Sequence, residues 1–385
     1  MMNRLFVLSA MVGGMLLGVN GYDAIQSPFF EKYKNWINEY KIEVRDNEHY
    51  RNMFNTWQEN HKHIEITNAK NLTYSLDHNQ FSGMDSNEFS EYLGFSNPDG
   101  LTLGRKFNPD KIKKTFEATK CLYGCVKKHK EVTALKTIEC VTECLDNNML
   151  RKVESLPDNI DWVVNGAVTP VKNQGQCGSC WSFSTTGALE GAYYLSTGTL
   201  DSFSEQQLVD CDNRQNKDNK GKDMGCNGGL MDNAFSWIEK NGGLCSESDY
   251  PYTSGTTKTG GSCQTTCDII SGSDITSFVD VDINSDESMM TALSQQPVSI
   301  AIEADQKDFQ LYSSGVFTGD CGINLDHGVL TVGYGTLDGS DYYKVKNSWG
   351  TTWGDGGYIL LGRGSSYNKG SGQCGMLLSA SYPEV

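Results

Sequence analysis

Proline is scarce in this 385-residue chain, 8 residues against 41 glycines, and basic side chains are outnumbered, 32 Lys and Arg against 48 Asp and Glu. With 38% hydrophobic and 21% charged residues, this composition excludes a collagen-like or wholly disordered chain and leaves material for a full-sized core. The formal net charge of −16 excludes a general nucleic-acid binder, which needs a basic surface to meet phosphates. Beyond residue 19 no apolar run approaches ~20 residues, so no later segment reads as a membrane span. Histidine is short as well: His49, His61, His63, His78 and His129 precede residue 156, and only His327 follows it. Any enzyme within 156–385 that shuttles protons through histidine must therefore use His327. Internal repeats are absent apart from one paired cysteine spacing.

The length exceeds one typical domain, and the charge divides it. Residues 1–155 carry 20 basic and 20 acidic side chains; residues 156–385 carry 12 and 28, so the whole excess lies in the C-terminal part. Thirteen cysteines, an odd and high count, fit six disulfides and one free thiol in an oxidising compartment. Arg4, the apolar run Leu5–Val19 and the short residues Val19-Asn20-Gly21 read as a secretory signal over residues 1–21. The expected destination is outside the cell or a lysosome- or vacuole-like compartment. Asn71-Leu72-Thr73 is the one glycosylation sequon, which suits that route.

Residues 28–70 carry helical periodicity, through Phe29, Phe30, Tyr33, Trp36, Ile37 and Tyr40 and then Phe54, Trp57, His61 and Ile64. A second helix is expected over Asp85–Leu93, capped by Asp85 or Ser86 and stopped by Gly94. Asn97-Pro98-Asp99-Gly100 marks a turn and a boundary. Residues 105–152 are basic, net +6, and hold Cys121, Cys125, Cys140 and Cys144. Cysteines four apart share a helix face, so two antiparallel helices would set Cys121 against Cys144 and Cys125 against Cys140. That predicts a disulfide-stapled hairpin; a four-cysteine zinc site is the rival, against which the secretory route argues. From Leu156 the pattern changes to short strands, at Val298–Ile302, His327–Tyr334 and Tyr342–Val345, with a helix over Cys180–Leu195 ended by Gly198. The polar stretch Asn213–Asp223 reads as a solvated loop.

Nine cysteines follow residue 156, and nine cannot all pair. Cys180 opens the predicted helix, where the positive end of the dipole favours a thiolate. A thiolate can attack an acyl carbon while a histidine holds the proton for the leaving amine. Around it runs Gln174-Gly175-Gln176-Cys177-Gly178-Ser179-Cys180-Trp181-Ser182-Phe183, which holds the Cys-Gly-Ser-Cys-Trp signature of papain and the cathepsins. Asp210-Cys211-Asp212, Gly225-Cys226-Asn227-Gly228-Gly229, Tyr250-Pro251-Tyr252, Leu325-Asp326-His327-Gly328 and Lys346-Asn347-Ser348-Trp349-Gly350 follow in order. The chain thus resembles a cathepsin L-like proenzyme of the papain family of cysteine peptidases.

The resemblance implies an α+β fold of two lobes, a helical lobe around Cys180–Leu195 and a β-barrel-like lobe from residue 270 on, with a cleft between them. It implies Cys180 as nucleophile, His327 as its proton partner, Asn347 orienting the imidazole, and Gln174 donating to the oxyanion. Trp349 would shield the Asn347–His327 contact. Gly228, Gly229, Leu230, Met231, Ala301, Leu325, Asp326, Trp349 and Ser379 are the implied substrate-facing positions. The pocket formed by Leu230, Met231, Ala301, Leu325 and Ser379 is uncharged and should take an apolar side chain. Bare backbone at Gly228 and Gly229 would pair with a substrate strand. Disulfides carried over are Cys177–Cys226, Cys211–Cys263 and Cys321–Cys374, which leaves Cys245 to Cys267. No metal and no cofactor is expected, and the partners are protein and peptide substrates and the chain's own propeptide, acting on a monomer.

Residues 22–104 resemble the family's helical inhibitory propeptide, and residues 153–385 its peptidase domain. Trp57, Asn60, Ile64 and Asn68 fit the propeptide's helical signature, with Trp where Phe is expected. Asn79 and Phe81 fit the motif after it, but Asp77 and Gly83 replace its flanking Gly and Asp. The expected upstream Glu and Arg fall on His49 and Met53. The 105–152 hairpin is not part of the family pattern. Two rivals are an exopeptidase, disfavoured by a 211–226 loop without histidine, and a catalytically silent structural relative, disfavoured by Cys180, His327, Asn347 and Gln174. A third, a propeptide acting alone as an inhibitor, leaves the motifs after residue 156 without a purpose.

Overall fold

The computed structural model describes residues 27–96, 156–214 and 221–385. The signal segment, the Asn97–Gly100 boundary and the 105–152 hairpin, with Cys121, Cys125, Cys140 and Cys144, lie outside the described residues. Helix α1 (Phe30–Glu39) lays Phe30, Tyr33 and Trp36 on Met53, Phe54 and Trp57 of α2 (Asn47–Asn68), a small aromatic core of its own. The periodicity over 28–70 runs through a break. At Tyr40 the helix closes, Lys41 turns to φ 53°, and Ile42 N–H returns to the Ile37 carbonyl. Asp46 then restarts the chain by accepting His49 N–H at 2.8 Å. Apolar spacing reports which face is buried, not where the backbone caps, so it does not reveal this break.

Strand β1 (Tyr74–Leu76) follows, and then α3 (Ser86–Ser90), shorter than the Asp85–Leu93 expected. Asp85 and Glu88 form a capping box at its start. Its end unwinds through three-residue turns, Tyr92 N–H to Phe89 and Leu93 N–H to Ser90, which free Gly94 to run extended rather than cap a helix.

In the peptidase part, β2 (Ile160–Asp161) precedes α4 (Cys180–Thr197), which is buried on nearly every side and closed by Gly198 at φ 77°. Helices α5 (Glu205–Cys211) and α6 (Met231–Asn241) complete the helical lobe, whose core joins Leu189, Phe203, Leu208, Phe235 and Ile238. Gly187 lets the sheet lie close on α4, since a Cβ there would meet Leu330 at 2.8 Å. The second lobe contains β3 (Ser277–Asp280), α7 (Asp286–Leu293), β4 (Val298–Ile302), β5 (Tyr312–Phe317), β6 (His327–Leu337), β7 (Ser340–Lys346), β8 (Tyr358–Gly362) and β9 (Ala380–Glu384). Its sheet runs β1-β5-β8-β7-β6-β4-β9-β3, with β2 on β6 and only β5–β8 parallel.

The first strand of that sheet comes from the N-terminal unit. Tyr74 pairs with Gly315 and Leu76 with Tyr312, so the edge of the peptidase sheet is covered by β1. Ile64, Tyr74, Leu76, Phe81, Phe89 and Tyr92 also enter the β-lobe core beside Phe309, Trp349 and Trp353. Four disulfides close, Cys177–Cys226, Cys211–Cys263, Cys245–Cys267 and Cys321–Cys374, and among the described residues Cys180 alone is free.

Candidate active site

Three elements bring the predicted residues to one point. Cys180 is the first residue of α4, His327 the first of β6, and Asn347 directly follows β7. The β6–β7 pairing, Leu330 against Lys346, sets the last two side by side. His327 Nε2 lies 2.8 Å from Asn347 Oδ1. That amide oxygen also accepts Ser348 N–H at 2.8 Å, which fixes the amide's orientation and places a proton on Nε2 of the neutral imidazole. Nδ1 of His327 has no hydrogen-bond partner among the described residues. Gly328 N–H, one residue on, donates to Cys180 Sγ at 3.2 Å. Trp349 stacks on the imidazole at 4.5 Å and 24°.

Gln174 is held by Ser348, a residue for which the motifs alone suggest no role. Ser348 Oγ donates to Gln174 Oε1 at 2.6 Å, which turns Nε2 towards the nucleophile's loop. There Nε2 donates to Cys177 O and to Tyr92 O, each at 2.9 Å. Tyr92 belongs to the N-terminal unit, so the donor expected to serve an oxyanion is already engaged.

The segment Tyr92–Ser96 fills the cleft. Gly229 N–H donates to Gly94 O at 2.9 Å, Ser96 N–H to Gly229 O at 3.1 Å, and Phe95 N–H to Asp326 O at 2.9 Å. The bridge of Phe95 to Gly229 is parallel. Phe95 is buried in the apolar cluster that holds Leu230, Met231 and Ala301, with Leu325 packed against it. Ser379 joins this wall through its backbone, accepting Ala301 N–H at 2.9 Å. Gly228 takes φ 107°, and a Cβ there would meet Ser96 at 2.8 Å. Behind the wall Asp223, expected at the end of a solvated loop, is instead fully buried, because its carboxylate accepts Leu230 N–H and Asn233 Nδ2–H, each at 3.0 Å.

Cys180 and His327 have no exposed surface. Burial pushes the Cys180 thiol up to about 12, against the pull of the Gly328, Gly94 and Trp181 N–H groups. Burial pushes His327 down to about 4, opposed by its bond to Asn347. The helix dipole alone would favour a thiolate. In this closed state burial opposes the dipole and disfavours the charged form of the thiol and of the imidazole alike. Among the described residues no group of three His, Cys, Asp or Glu is placed to hold a metal ion.

A thiol, an imidazole oriented by an amide and a glycine-edged cleft filled by the chain's own N-terminal part define a cysteine protease in its proenzyme form. The family model described as papain family cysteine protease matches residues 156–384, and that of the cathepsin propeptide inhibitor domain (I29) matches residues 33–89. The chain belongs to the papain family of cysteine proteases. It is 40% identical to cysteine protease XCP2 of Arabidopsis thaliana over 354 residues, 92% of this chain and 85% of that one. The proform of the ragweed pollen allergen cysteine protease Amb a 11 superimposes with a TM-score of 0.72 at 32% identity, covering 96% of this chain and 99% of that one. Digestive procathepsin L 3 of Tenebrio molitor larval midgut gives 0.71 at 33% identity, covering 94% and 100%. The protein is a cysteine-type endopeptidase, cathepsin L-like, with an inhibitory propeptide.

The propeptide's passage over Gly178 leaves no room for a side chain at Gly94, where a Cβ would lie 1.9 Å from the Gly178 carbonyl oxygen. Gly94→Val is expected to unseat the segment and weaken autoinhibition at least roughly tenfold, the effect of losing 1.4 kcal/mol. Hydrolysis of a fluorogenic peptide by the full chain at neutral pH, beside unchanged kcat/KM of the processed enzyme, checks it.

Proposed function

We propose that Cys180 hydrolyses peptide bonds through an acyl-enzyme once Tyr92–Ser96 leaves the cleft. The Cys180 thiolate attacks the scissile carbonyl carbon, and the oxyanion takes hydrogen bonds from Gln174 Nε2 and the Cys180 N–H. His327, carrying the thiol proton on Nδ1, gives it to the leaving amine as the C–N bond breaks. It then takes a proton from the water that attacks the thioester, and Cys180 departs as thiolate. Asn347 holds the imidazole at Nε2 throughout, under Trp349. The observation that carries this reading is the junction of Cys180, His327, Asn347 and Gln174 at one end of the cleft. Cys180→Ser and His327→Ala should each abolish hydrolysis and leave a folded proenzyme; activity retained in either variant rejects these roles.

Specificity follows from the seat of Phe95. Its surroundings, Leu230, Met231, Ala301 and Leu325, are apolar and accept an aromatic ring. We infer that the same pocket takes the substrate side chain two residues before the scissile bond. Fluorogenic peptides with Leu or Phe there should beat Arg, with an effect of roughly 1–3 kcal/mol per missing apolar group. A preference for Arg would reject the pocket.

The enzyme would be a monomer made as a zymogen, in a secreted or vacuole- or lysosome-like setting, where acid removes a propeptide reaching from residue 22 to residue 104. Its four described disulfides suit that setting, and the exposed turn at Asn71 would accept a glycan. The net +6 of residues 105–152 would draw that segment to the −16 of the peptidase. Carboxylates with reference values of about 3.9–4.3 begin to take up protons as pH falls towards about 4–5, which weakens the attraction. Cys180→Ser proenzyme, nicked between propeptide and peptidase, should release its propeptide faster in acid and in salt. Release indifferent to both would reject the electrostatic latch.

A further inference from the structure

Two of the six histidines meet inside the propeptide. His61 of α2 and His78, two residues after β1, lie on one face of Trp57, the His78 ring at 4.3 Å and 7°, the His61 ring at 5.0 Å and 8°. His61 Nδ1 stands 2.9 Å from His78 Nε2, and Lys32 Nζ of α1 stands 3.2 Å from His61 Nε2. An ammonium group only donates. His61 Nε2 must therefore accept, its proton sits on Nδ1, and it donates that proton to His78 Nε2. The chain Lys32→His61→His78 runs with both rings neutral and leaves the His78 proton on Nδ1, a buried atom with no hydrogen-bond partner among the described residues.

A further proton does not fit this chain. Placed on His78 Nε2, it faces the His61 Nδ1–H unless His61 changes tautomer, and then His61 Nε2–H faces the Lys32 ammonium. The charged groups around the pair are Lys32 from α1, Glu65 from α2 with Oε1 3.5 Å from His61 Nε2, and Asp77 beside His78. Tyr40, just past α1, gives its hydroxyl to the His78 carbonyl at 2.7 Å. Burial, then His61 and Lys32, push His78 down to about 3. Burial and Lys32 also lower His61, against Glu65 and Asp77.

The loop that carries His78 grips the peptidase. Asn79 Nδ2 donates to Gln310 O and Gln80 Nε2 to Trp349 O, each at 2.7 Å. Trp36 Nε1 ties the same loop to α1 through the Asn79 carbonyl at 2.8 Å. We propose that the Lys32–His61–His78 chain is an acid switch within the propeptide, which holds the Asp77–Phe81 loop on the peptidase while neutral and releases it when a proton enters. The proposal rests on the zymogen reading above, and concerns how acid reaches the propeptide rather than what the enzyme cleaves.

The sign follows from a folded-state value below the unfolded reference of about 6.5. The stabilisation is fully present above that reference and is lost as pH falls from it towards the folded value. Each excluded proton weakens the loop's hold by up to roughly tenfold per pH unit across this window. The test uses full-length Cys180→Ser proenzyme, so proteolysis plays no part, and reads hydrogen-exchange protection of residues 74–82 between pH 7 and pH 4, corrected for intrinsic rates. Protection should fall with pH in the parent. His78→Gln, whose amide oxygen can still accept from His61, should hold protection about one pH unit further into acid. Lys32→Met, which removes a charge that opposes the second proton, brings the folded-state value closer to the unfolded reference, so its protection should fall less with acid than the parent's. His78→Gln tracking the parent overturns the proposal. Should His78→Gln be unprotected at pH 7, Lys32→Met decides: a shallower pH dependence than the parent's supports the switch, and an unchanged one overturns it.

Discussion

The desolvation of Cys180 under the Tyr92–Ser96 segment governs the state of everything around it. Burial works against an ion pair between this thiol and this imidazole, because both charges would lack water. The segment seals them with backbone: Gly94 over the Gly178 carbonyl, Gly229 on both sides of Phe95, and the Tyr92 carbonyl on the Gln174 amide. Its run past Gly229 is parallel, with chain polarity fixed by those bonds. Inhibition thus needs no foreign chemistry; it uses the hydrogen bonds and the apolar pocket that would serve a substrate.

That seal stands on a propeptide folded in two places. Its aromatic helices make a core of their own, while Tyr74, Phe81, Phe89 and Tyr92 belong to the core of the β-lobe. Phe81 and Phe89 pack edge-on against Trp349, the residue that covers the His327 ring. His63 and the Tyr74 hydroxyl both reach Asp308, at 2.5 and 2.6 Å. The propeptide therefore contributes to the packing over His327 as well as to the segment in the cleft.

Much of the site is readable in the sequence because chemistry there is tied to side chains in short motifs. His327 follows from the lack of any other histidine after residue 155, and Cys180, Asn347 and Gln174 sit in recognisable runs. The strands Val298–Ile302 and the start of His327–Leu337 are plain from alternation. Which residues form the plug is not readable, because Gly94 and Ser96 act through main-chain groups that any sequence carries. Ser348 and Asp223 escape notice for a related reason: each acts on a neighbour rather than on substrate, Ser348 through Gln174 and Asp223 through Leu230. The break at Tyr40–Asp46 is set by caps and a positive φ at Lys41, which periodicity does not report. His61 and His78 are 17 residues apart in sequence, and only the turn into β1 brings their rings together.

The thiolate absorbance near 240 nm, read at pH 7 against the Cys180→Ser chain as blank, tests the desolvated, neutral state of Cys180 most directly. The intact proenzyme should show no thiolate, in line with a thiol held near 12 beside an imidazole held near 4. After propeptide removal water reaches the sulfur at the helix N-terminus, and the signal of about one thiolate should appear. A full thiolate signal already present in the proenzyme would contradict the account.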